Sequence, residues 1–493
     1  MRWAPSKGRD PASTLGLPIQ SSRDRLYPRS SQLANRNSST TPAPESDPPG
    51  QARGRVGALY YVATRCAAHR SLHRGPHDRS QLLEEESLMT TSAESAPVVS
   101  VDEPNTQELV RRVAELQPLL RANAAQAEAD RRVPDENIEV LREAGVFRIM
   151  QPRRWGGLET DFTTFMKISE EIGRGDGSTA WVSALMNVCS WLIGLYPEQA
   201  QREVWGVDPE ARACGVVAPT AETRAVDGGQ IVSGSWGFAS GSAHSAWALL
   251  GIPVVDASGQ QVDQGLALIS MSDLTVKDTW FVAGLRGTAS NTLVAEELFV
   301  PDHRILSVGK ALGGEYGTEH KEEALYHSAF VPVLALILVG PQIGMARAAL
   351  DVVSESLAKH KPISYTFYED SAAAPTTQLN LAEATQLIDT AHLHAMRAAS
   401  DVDEWASSLK YMDRLTRTRV RMDTGYIARR CREAIDLLVS IAGASSFGEK
   451  NPLQRIWRDQ ETGSRHAVVN PSIAAEIYGR ELLGQQDQIT PLI

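Results

Sequence analysis

The sequence predicts a mainly α-helical protein with a small β domain in its middle. Apolar residues recur at helical spacing between about residues 105 and 212. Between 213 and 305 they fall in short runs separated by Gly, Asp, Asn and Ser, which is typical of strands. Helical periodicity then returns and continues to the carboxyl end. We therefore predict a helical domain at 105–212, a β domain at 213–305 and a four-helix bundle at 306–493.

The first 104 residues are expected to form a disordered extension. They are rich in Ser, Pro, Arg and Gly and lack the periodic apolar residues that a packed element needs. Glu84–Glu86 precede Met89 by a few residues, which is how a translated ribosome-binding site before a start codon looks. The alternative is that Glu84–Glu86 are an ordinary run of acidic residues with no such origin. We expect the true start to lie near Met89.

The chain is acidic, and its charge is unevenly distributed. The formal net charge is −11, and the first 88 residues hold 13 Lys and Arg against 8 Asp and Glu, a local +5 that leaves −16 for the rest. An acidic body repels the phosphate backbone, so nucleic acid is not an expected partner. The four cysteines lack the spacing of a metal site and are expected to be reduced thiols of a cytoplasmic protein: Cys66, Cys189, Cys214 and Cys431.

The amino-terminal domain is expected to consist of four helices. Asn105 followed by Glu108 predicts a capped start, and one apolar face then continues from Leu109 to Leu120. The remaining helices are expected at 135–145, 162–172 and 177–196.

Strands are expected over CGVVA, QIVSGSWGF, WALLGIPVV, LALISM and NTLVAEELFV. Long helices are expected near 324–360, 376–410 and 412–444, with a last one at 471–483. The stretch FVPVLALILVGPQIGMARAAL is apolar enough to suggest a membrane span. Pro332, Gly340–Pro341 and Arg347 interrupt it, so we interpret it as a buried bundle helix and expect no membrane contact.

Three motifs, taken with this order of domains, resemble the acyl-CoA dehydrogenase superfamily. They are GSWGFASG at 234–241, GLRGTASN at 284–291, and QRIWRD at 454–459 followed by SRHA at 464–467. The resemblance runs from about 107 to 485. In detail it is to the oxygenase components of p-hydroxyphenylacetate, seco-steroid phenol and dibenzothiophene monooxygenases. It implies the acyl-CoA dehydrogenase fold, with a β-barrel-like middle domain, and a homotetramer.

The resemblance implies that the first two motifs contact a flavin. Ser240 would offer its hydroxyl to the pyrimidine side of the ring, and Trp236 and Phe238 would help to build an aromatic wall. Arg286 and Ser290 would contact a phosphate or the flavin edge. A strand with buried aromatic residues, and a hairpin turn with a solvated arginine, explain the same letters without a ligand.

Three further residues are candidates for the pocket. Trp155, in the turn RWGG, would border the substrate, and Asn187 would face the flavin or a peroxide from an apolar helix. A neighbouring backbone carbonyl would satisfy the amide of Asn187 equally well. Gln378 matches the position near a neighbouring subunit's flavin, or it is a solvent-facing residue at a helix start.

His466 is the candidate catalytic residue. The resemblance implies that acyl-CoA dehydrogenases commonly place at this position a glutamate that removes a proton from the thioester, or take it from an earlier bundle helix. Here the position holds His466, and the counterpart of the earlier helix, 330–339, contains no carboxylate. A histidine, with a pKa near ~6.5, can exchange a proton with a phenol. A helix cap or a surface histidine is the alternative.

The resemblance implies an oxygenase that takes reduced flavin, FMNH2 or FADH2, and O2 through a C4a-hydroperoxyflavin to hydroxylate a small aromatic, phenolic substrate. A separate NAD(P)H-dependent flavin reductase is expected as a partner, because no G-x-G-x-x-G follows a strand in this chain. Two alternatives are an FAD-dependent acyl-CoA dehydrogenase with an unrecognised base and a non-catalytic binding protein on the same scaffold.

Overall fold

The computed structural model describes residues 105–485, 487 and 489–493. Helices come first, two small sheets follow, and a helical bundle ends the chain, so the predicted mainly α fold with a small β domain is confirmed. The predicted extension at 1–104 lies outside the described residues. The amino-terminal helices are α1 Thr106–Ala114, α2 Gln117–Asp130, α3 Asp135–Glu143, α4 Phe162–Gly175, α5 Gly177–Gly194 and α6 Glu198–Trp205.

The first helical stretch begins where predicted but is divided in two. The side chain of Asn105 accepts a hydrogen bond from the Glu108 N–H at 3.1 Å, which caps α1. The helix ends at Ala114, and α2 starts at Gln117 with Pro118 in its first turn. Proline lacks the N–H that a continuous helix would need there, so the apolar face that runs to Leu120 is shared by two helices.

Helix α5 is buried along nearly its whole length. The side chain of Asp176 caps the helix by accepting two hydrogen bonds from Thr179, one from its backbone N–H at 2.8 Å and one from its hydroxyl group at 2.7 Å. A helix that is apolar on all sides must be covered on all sides. Helix α5 accordingly packs against α4, against the bundle helix at Gly340–Leu357 and against the strand at Ala213–Val216.

The β domain consists of two four-stranded sheets with a shared apolar core. One has the order β1-β4-β5-β8 and the other β2-β3-β7-β6. Strand β1 runs parallel to β4, and the remaining pairs are antiparallel. The strands are β1 Ala213–Val216, β2 Ala221–Val226, β3 Gly229–Ala239, β4 Trp247–Val255, β5 Gln261–Ser270, β6 Thr275–Lys277, β7 Asn291–Pro301 and β8 Ile305–Ser307.

A bulge redirects the end of β3. Its register with β7 shifts between Trp236 and Ala239, and Phe238 has a φ of +65°. In a regular strand, residues 236 and 238 would point to the same face. Here Trp236 is fully buried, whereas Phe238 is 74% exposed. The bulge therefore separates two aromatic residues that alternation alone would keep together.

The carboxyl-terminal bundle begins after β8. Its helices are α7 Val308–Leu312, α8 Phe330–Leu336, α9 Gly340–Leu357, α10 Pro375–Ser407, α11 Arg414–Ala442, α12 Pro452–Gly463 and α13 Pro471–Leu482. The predicted helix near 324–360 is divided: α8 ends at Leu336, and α9 begins at Gly340 with Pro341 in its first turn. Helix α12 was missed by sequence reasoning.

The stretch Phe330–Leu357 is, among the described residues, the one long and apolar enough to cross a membrane by composition. However, 83% of its most apolar window is buried inside the protein. Helix α9 also crosses α4 at close range, because a Cβ on Gly344 would lie 2.6 Å from the Cα of Gly173. These contacts are those of a bundle core.

Candidate active site

A chain of buried hydroxyl groups lies where β3 ends. The Oγ atoms of Ser240 and Ser290 are 2.6 Å apart, and Ser290 lies 2.7 Å from the Thr288 hydroxyl. Thr288 in turn donates to the Leu285 carbonyl at 2.8 Å. The structure therefore joins the two predicted flavin motifs at their serines, through the β3–β7 pairing.

Two glycines let helix α5 approach this hydroxyl chain. Gly241 has a φ of +79°, and a Cβ there would lie 3.0 Å from Met186 Cε. A Cβ on Gly287 would lie 2.9 Å from the Cβ of Ser178. A side chain at either position would push α5 away from the β domain. The glycines of both motifs thus serve close packing between the two domains.

A buried carboxylate fixes the turn that carries Arg286. Asp459 of α12 accepts a hydrogen bond from the Leu285 N–H at 2.5 Å. Burial raises the pKa of Asp459 to about 7, and the nearby Asp176 carboxylate adds to this effect. The turn is conformationally restricted, since Leu285 and Ala289 both have positive φ. The Nε of Arg286 is buried without a hydrogen-bond partner among the described residues.

Of the two residues predicted to build an aromatic wall, Phe238 is exposed and Trp236 is buried. Phe238 packs edge-on against Trp280, with ring centroids 5.6 Å apart, and stays largely exposed. Trp236 lies between the two sheets and donates its indole N–H to the Gly251 carbonyl at 2.8 Å. This corrects the prediction that Trp236 lines a flavin, because the bulge turns only Phe238 outward.

Asn187 is buried on α5 with one half of its amide unsatisfied. Its Nδ2 donates to the Ser183 carbonyl at 2.9 Å, the backbone partner that was the alternative to a ligand. Its Oδ1 and the Ser183 hydroxyl are buried without partners among the described residues. A buried polar atom without a partner is costly, so this face of α5 can accept a polar ligand.

His466 lies in the link between α12 and α13. Its Nδ1 accepts a hydrogen bond from the Val468 N–H at 3.3 Å, so the capping contact that was the alternative reading is present. Its ring lies 6.2 Å from that of Trp181. More than a third of the residue is exposed, yet dense surrounding protein, and then the charge of Arg421, lower its pKa to about 4. With this pKa the imidazole is neutral near pH ~7.

The His466 link and the hydroxyl chain are connected by packing at Gly463. A Cβ on Gly463 would lie 3.1 Å from a ring atom of Trp181 and 3.5 Å from Leu285 Cδ1. Leu285 begins the Arg286 turn, and Trp181 contacts His466. The structure therefore brings together Ser240, Ser290, the Arg286 turn and His466 around the first half of α5.

Trp155 and Gln378, the two remaining predicted site residues, form hydrogen bonds with residues outside the hydroxyl chain and the His466 link. Trp155 is half-buried and donates its Nε1 hydrogen to Gln201 Oε1 at 3.2 Å. Gln378 is exposed at the start of α10 and donates to the Ala372 carbonyl at 3.0 Å. Their roles toward the substrate and toward a neighbouring subunit's flavin stay predictions.

Arg421 was missed by sequence reasoning. It lies on α11 among many arginines, and nothing in the local pattern distinguishes it. In the structure it is only 4% exposed, while most of its neighbours of the same type reach solvent. Only burial, which depends on tertiary packing, identifies it. Among the described residues no group of three or more His, Cys, Asp or Glu could hold a metal ion.

The chain is similar to two acyl-CoA dehydrogenase families and to proteins of known activity. Residues 102–207 match the acyl-CoA dehydrogenase N-terminal domain, and residues 336–471 match the C-terminal domain. The flavin-dependent monooxygenase, oxygenase subunit HsaA, of Mycobacterium tuberculosis is 34% identical over 389 residues, covering 78% of this chain and 98% of that protein. The FADH(2)-dependent resorcinol hydroxylase, oxygenase component, of a Rhizobium species is 33% identical over 402 residues, covering 79% and 97%.

Comparison with solved structures shows similarity to the same class of enzymes. XiaF from a Streptomyces species, in complex with FADH2 and glycerol, superposes with a TM-score of 0.74 at 31% identity, covering 78% of this chain and 97% of that one. These similarities confirm the predicted fold and the predicted monooxygenase class, with the dehydrogenase and binding-protein alternatives set aside.

Proposed function

This chain belongs to the acyl-CoA dehydrogenase family and, within it, to the oxygenase components of flavin-dependent monooxygenases, and we propose that it hydroxylates a small phenolic substrate using reduced flavin and dioxygen. The observation that carries this proposal is the neutral imidazole of His466 beside Trp181. A neutral imidazole can exchange a proton with a phenol, and an indole ring offers an aromatic substrate an apolar wall.

Helices α8 and α12 offer no unengaged carboxylate that could serve as the base of thioester dehydrogenation. Helix α8, which packs against α11 and near the 467–469 turn, contains no carboxylate. Helix α12 contains two carboxylates, and both are engaged: Asp459 accepts the Leu285 N–H, and Glu461 forms an ion pair with Arg465. The site therefore suits chemistry on a phenolic oxygen better than removal of a proton from carbon.

The residues present fit a flavin. The unpartnered Asn187 Oδ1, Ser183 Oγ and Arg286 Nε are buried polar atoms that the polar edge of an isoalloxazine ring can satisfy. The Ser240–Ser290 pair offers a hydroxyl, and Phe238 offers an exposed ring. We propose that these residues hold the flavin. A bound reduced flavin supplies the electrons that activate dioxygen for transfer of one oxygen atom.

The hydrogen bond to Val468 determines which nitrogen of His466 carries the proton. Because Nδ1 accepts the Val468 N–H, the neutral ring bears its hydrogen on Nε2 and offers a donor to an oxygen atom. To act as a base through Nε2, the ring must adopt the other tautomer and give up this bond. At 3.3 Å the bond is long, and its loss costs about 1 kcal/mol or less.

Several properties of the enzyme follow from this proposal. A separate NAD(P)H-dependent flavin reductase would supply the reduced flavin, as the term oxygenase subunit implies for the relatives.

A homotetramer is supported by Tyr365 and Phe367, whose rings are fully exposed on the loop between α9 and α10. A cytoplasmic location is supported by the free thiols of Cys189, Cys214 and Cys431. Either FMNH2 or FADH2 would satisfy the contacts described.

Stopped-flow mixing tests the function. Enzyme and reduced flavin are mixed with oxygenated buffer, with FMNH2 and FADH2 in parallel. We expect a transient near-ultraviolet absorbance band before oxidised flavin returns, and a phenol should speed its decay. Direct return of oxidised flavin, at the rate seen without protein, would contradict the proposal. Light scattering coupled to gel filtration measures the oligomeric state.

A further inference from the structure

Arg421 is a buried cation without a carboxylate partner in the described part of the chain. The residue is 4% exposed, and its Nε and Nη1 atoms are buried without hydrogen-bond partners within the described part of the chain. Burial lowers its pKa to about 10, and no carboxylate offsets this effect. Other arginines of the bundle do have carboxylate partners: Arg347 with Glu170 at 3.1 Å, Arg397 with Asp423 at 2.5 Å, and Arg419 with Asp401 at 2.7 Å.

An unpaired buried charge is expensive for a fold, since desolvation is not compensated. Replacement of even a paired buried charge by apolar side chains is often neutral or stabilising, so an unpaired one is not explained by stability of the fold. A residue of this kind therefore suggests a ligand. Its planar, forked donors favour an oxyanion, and no described carboxylate provides one.

The position of Arg421 relates it to His466. One turn further along α11, Gly425 packs so closely on the start of α13 that a Cβ there would lie 2.9 Å from the Cα of Pro471. Helix α11 also contacts both the 467–469 turn and α8, the helix without a carboxylate. The charge of Arg421 in addition lowers the pKa of His466. Arg465, the residue next to His466 in the link between α12 and α13, is also a cation, but it forms an ion pair with Glu461.

We propose that the Arg421 guanidinium binds the ionised oxygen of the phenolic substrate, with the Nε2 hydrogen of His466 as a second donor. This inference rests on the proposed function and specifies the form of its substrate. The phenol O–H bond breaks, its proton passes by way of the His466 imidazole to water, and the charge left on oxygen is balanced by the guanidinium. A phenolate ring is richer in electrons than the phenol, so it is the better acceptor of an electrophilic oxygen atom.

Binding of 4-nitrophenol tests this without turnover, because its phenolate is yellow and its phenol is nearly colourless. The enzyme with reduced flavin is titrated anaerobically with 4-nitrophenol, and with nitrobenzene as the matched ligand that lacks the hydroxyl group. Wild type should bind the yellow phenolate. Arg421→Met should bind it roughly 10- to 100-fold more weakly, as expected for loss of a hydrogen bond to a charged group. Arg421→Lys should recover part of the affinity.

Arg429→Met is the matched control, because it removes the same charge from an exposed position on the same helix. It should leave phenolate binding unchanged, and all four proteins should bind nitrobenzene alike. The Tm of Arg421→Met should equal or exceed that of wild type.

Three results would overturn the assignment: colourless binding to wild type, equal phenolate affinity in Arg421→Met, or a clear loss of Tm in that variant, which would indicate a structural ion pair. Failure of the proposed function would instead appear in wild type as the absence of a transient band on mixing with oxygen, whatever Arg421 binds.

Discussion

The indole ring of Trp181 lies 6.2 Å from the imidazole ring of His466, at an interplanar angle of 58°. This contact joins the first turns of α5 to the link between α12 and α13, elements that are far apart in the sequence. Leu285 of the β domain packs on the same region through Gly463. All three domains therefore contribute to one site, and its geometry depends on how they dock.

We expect His466→Ala to uncouple oxygen consumption from hydroxylation. The variant should bind reduced flavin and consume oxygen, yet release hydrogen peroxide, because the proton-exchanging group is lost. Product formation should fall by roughly 100-fold or more. The Tm should change little, since the capping bond contributes about 1 kcal/mol or less. Product, peroxide and Tm are measured together, with His320→Ala as a loop control. Intact coupling with a reduced Tm would instead assign His466 a purely capping role.

The low pKa of His466 predicts a flat pH profile for coupling. With a pKa of about 4, the ring remains neutral throughout the range from ~6 to ~8, where an ordinary histidine with a pKa near ~6.5 would become protonated. The ratio of product to oxygen consumed should therefore stay constant across that range. A coupling ratio that halves near pH ~6.5 would show that bound flavin or substrate restores an ordinary pKa.

Ser240→Ala combined with Arg286→Ala should weaken the binding of reduced flavin. Each lost contact to a polar or charged edge corresponds to about 1–3 kcal/mol. Anaerobic titration of reduced flavin measures the dissociation constant. Arg224→Ala, which removes an exposed charge from strand β2, serves as the control. Unchanged affinity in the double variant would place the flavin elsewhere.

Asp459→Asn should stabilise the protein at alkaline pH. The folded-state pKa of about 7 lies above the ordinary value, so the stability that the protonated form provides is lost as pH rises toward and through 7. An asparagine keeps an acceptor for the Leu285 N–H and cannot ionise. Its Tm should exceed that of wild type by about 2 °C or more at pH ~8, with a smaller difference at pH ~5. The exposed Asp436→Asn is the control, and equal pH dependence in both variants would refute the idea.

A chain that begins at Met89 should retain full activity. The contacts that build the candidate site all involve residues beyond 120, and the sequence before Met89 lacks periodic apolar residues. Expression, oligomeric state and turnover of the shortened chain are compared with those of the full chain. Loss of assembly or activity on truncation would show that residues 1–88 participate in the fold.

Part of this protein could be predicted from local sequence. The order of helices and strands follows from residue spacing, and Asn105 and Asp176 cap helices through bonds to residues three positions away. Ser240, Ser290 and His466 could be predicted as site residues because their motifs are local as well. Short-range periodicity, capping and turn chemistry act within a few residues, so the sequence displays them directly.

The tertiary structure alone decided the rest. Trp236 and Phe238 are two residues apart, and only the β3–β7 pairing shows that a bulge buries one and exposes the other. Arg421 looks like the other arginines of α11 until packing buries it without an ion-pair partner among the described residues. Burial and pairing are determined by segments that are distant along the chain. The physical reason is that desolvation depends on every atom that packs around a group, and no local pattern records which atoms those are.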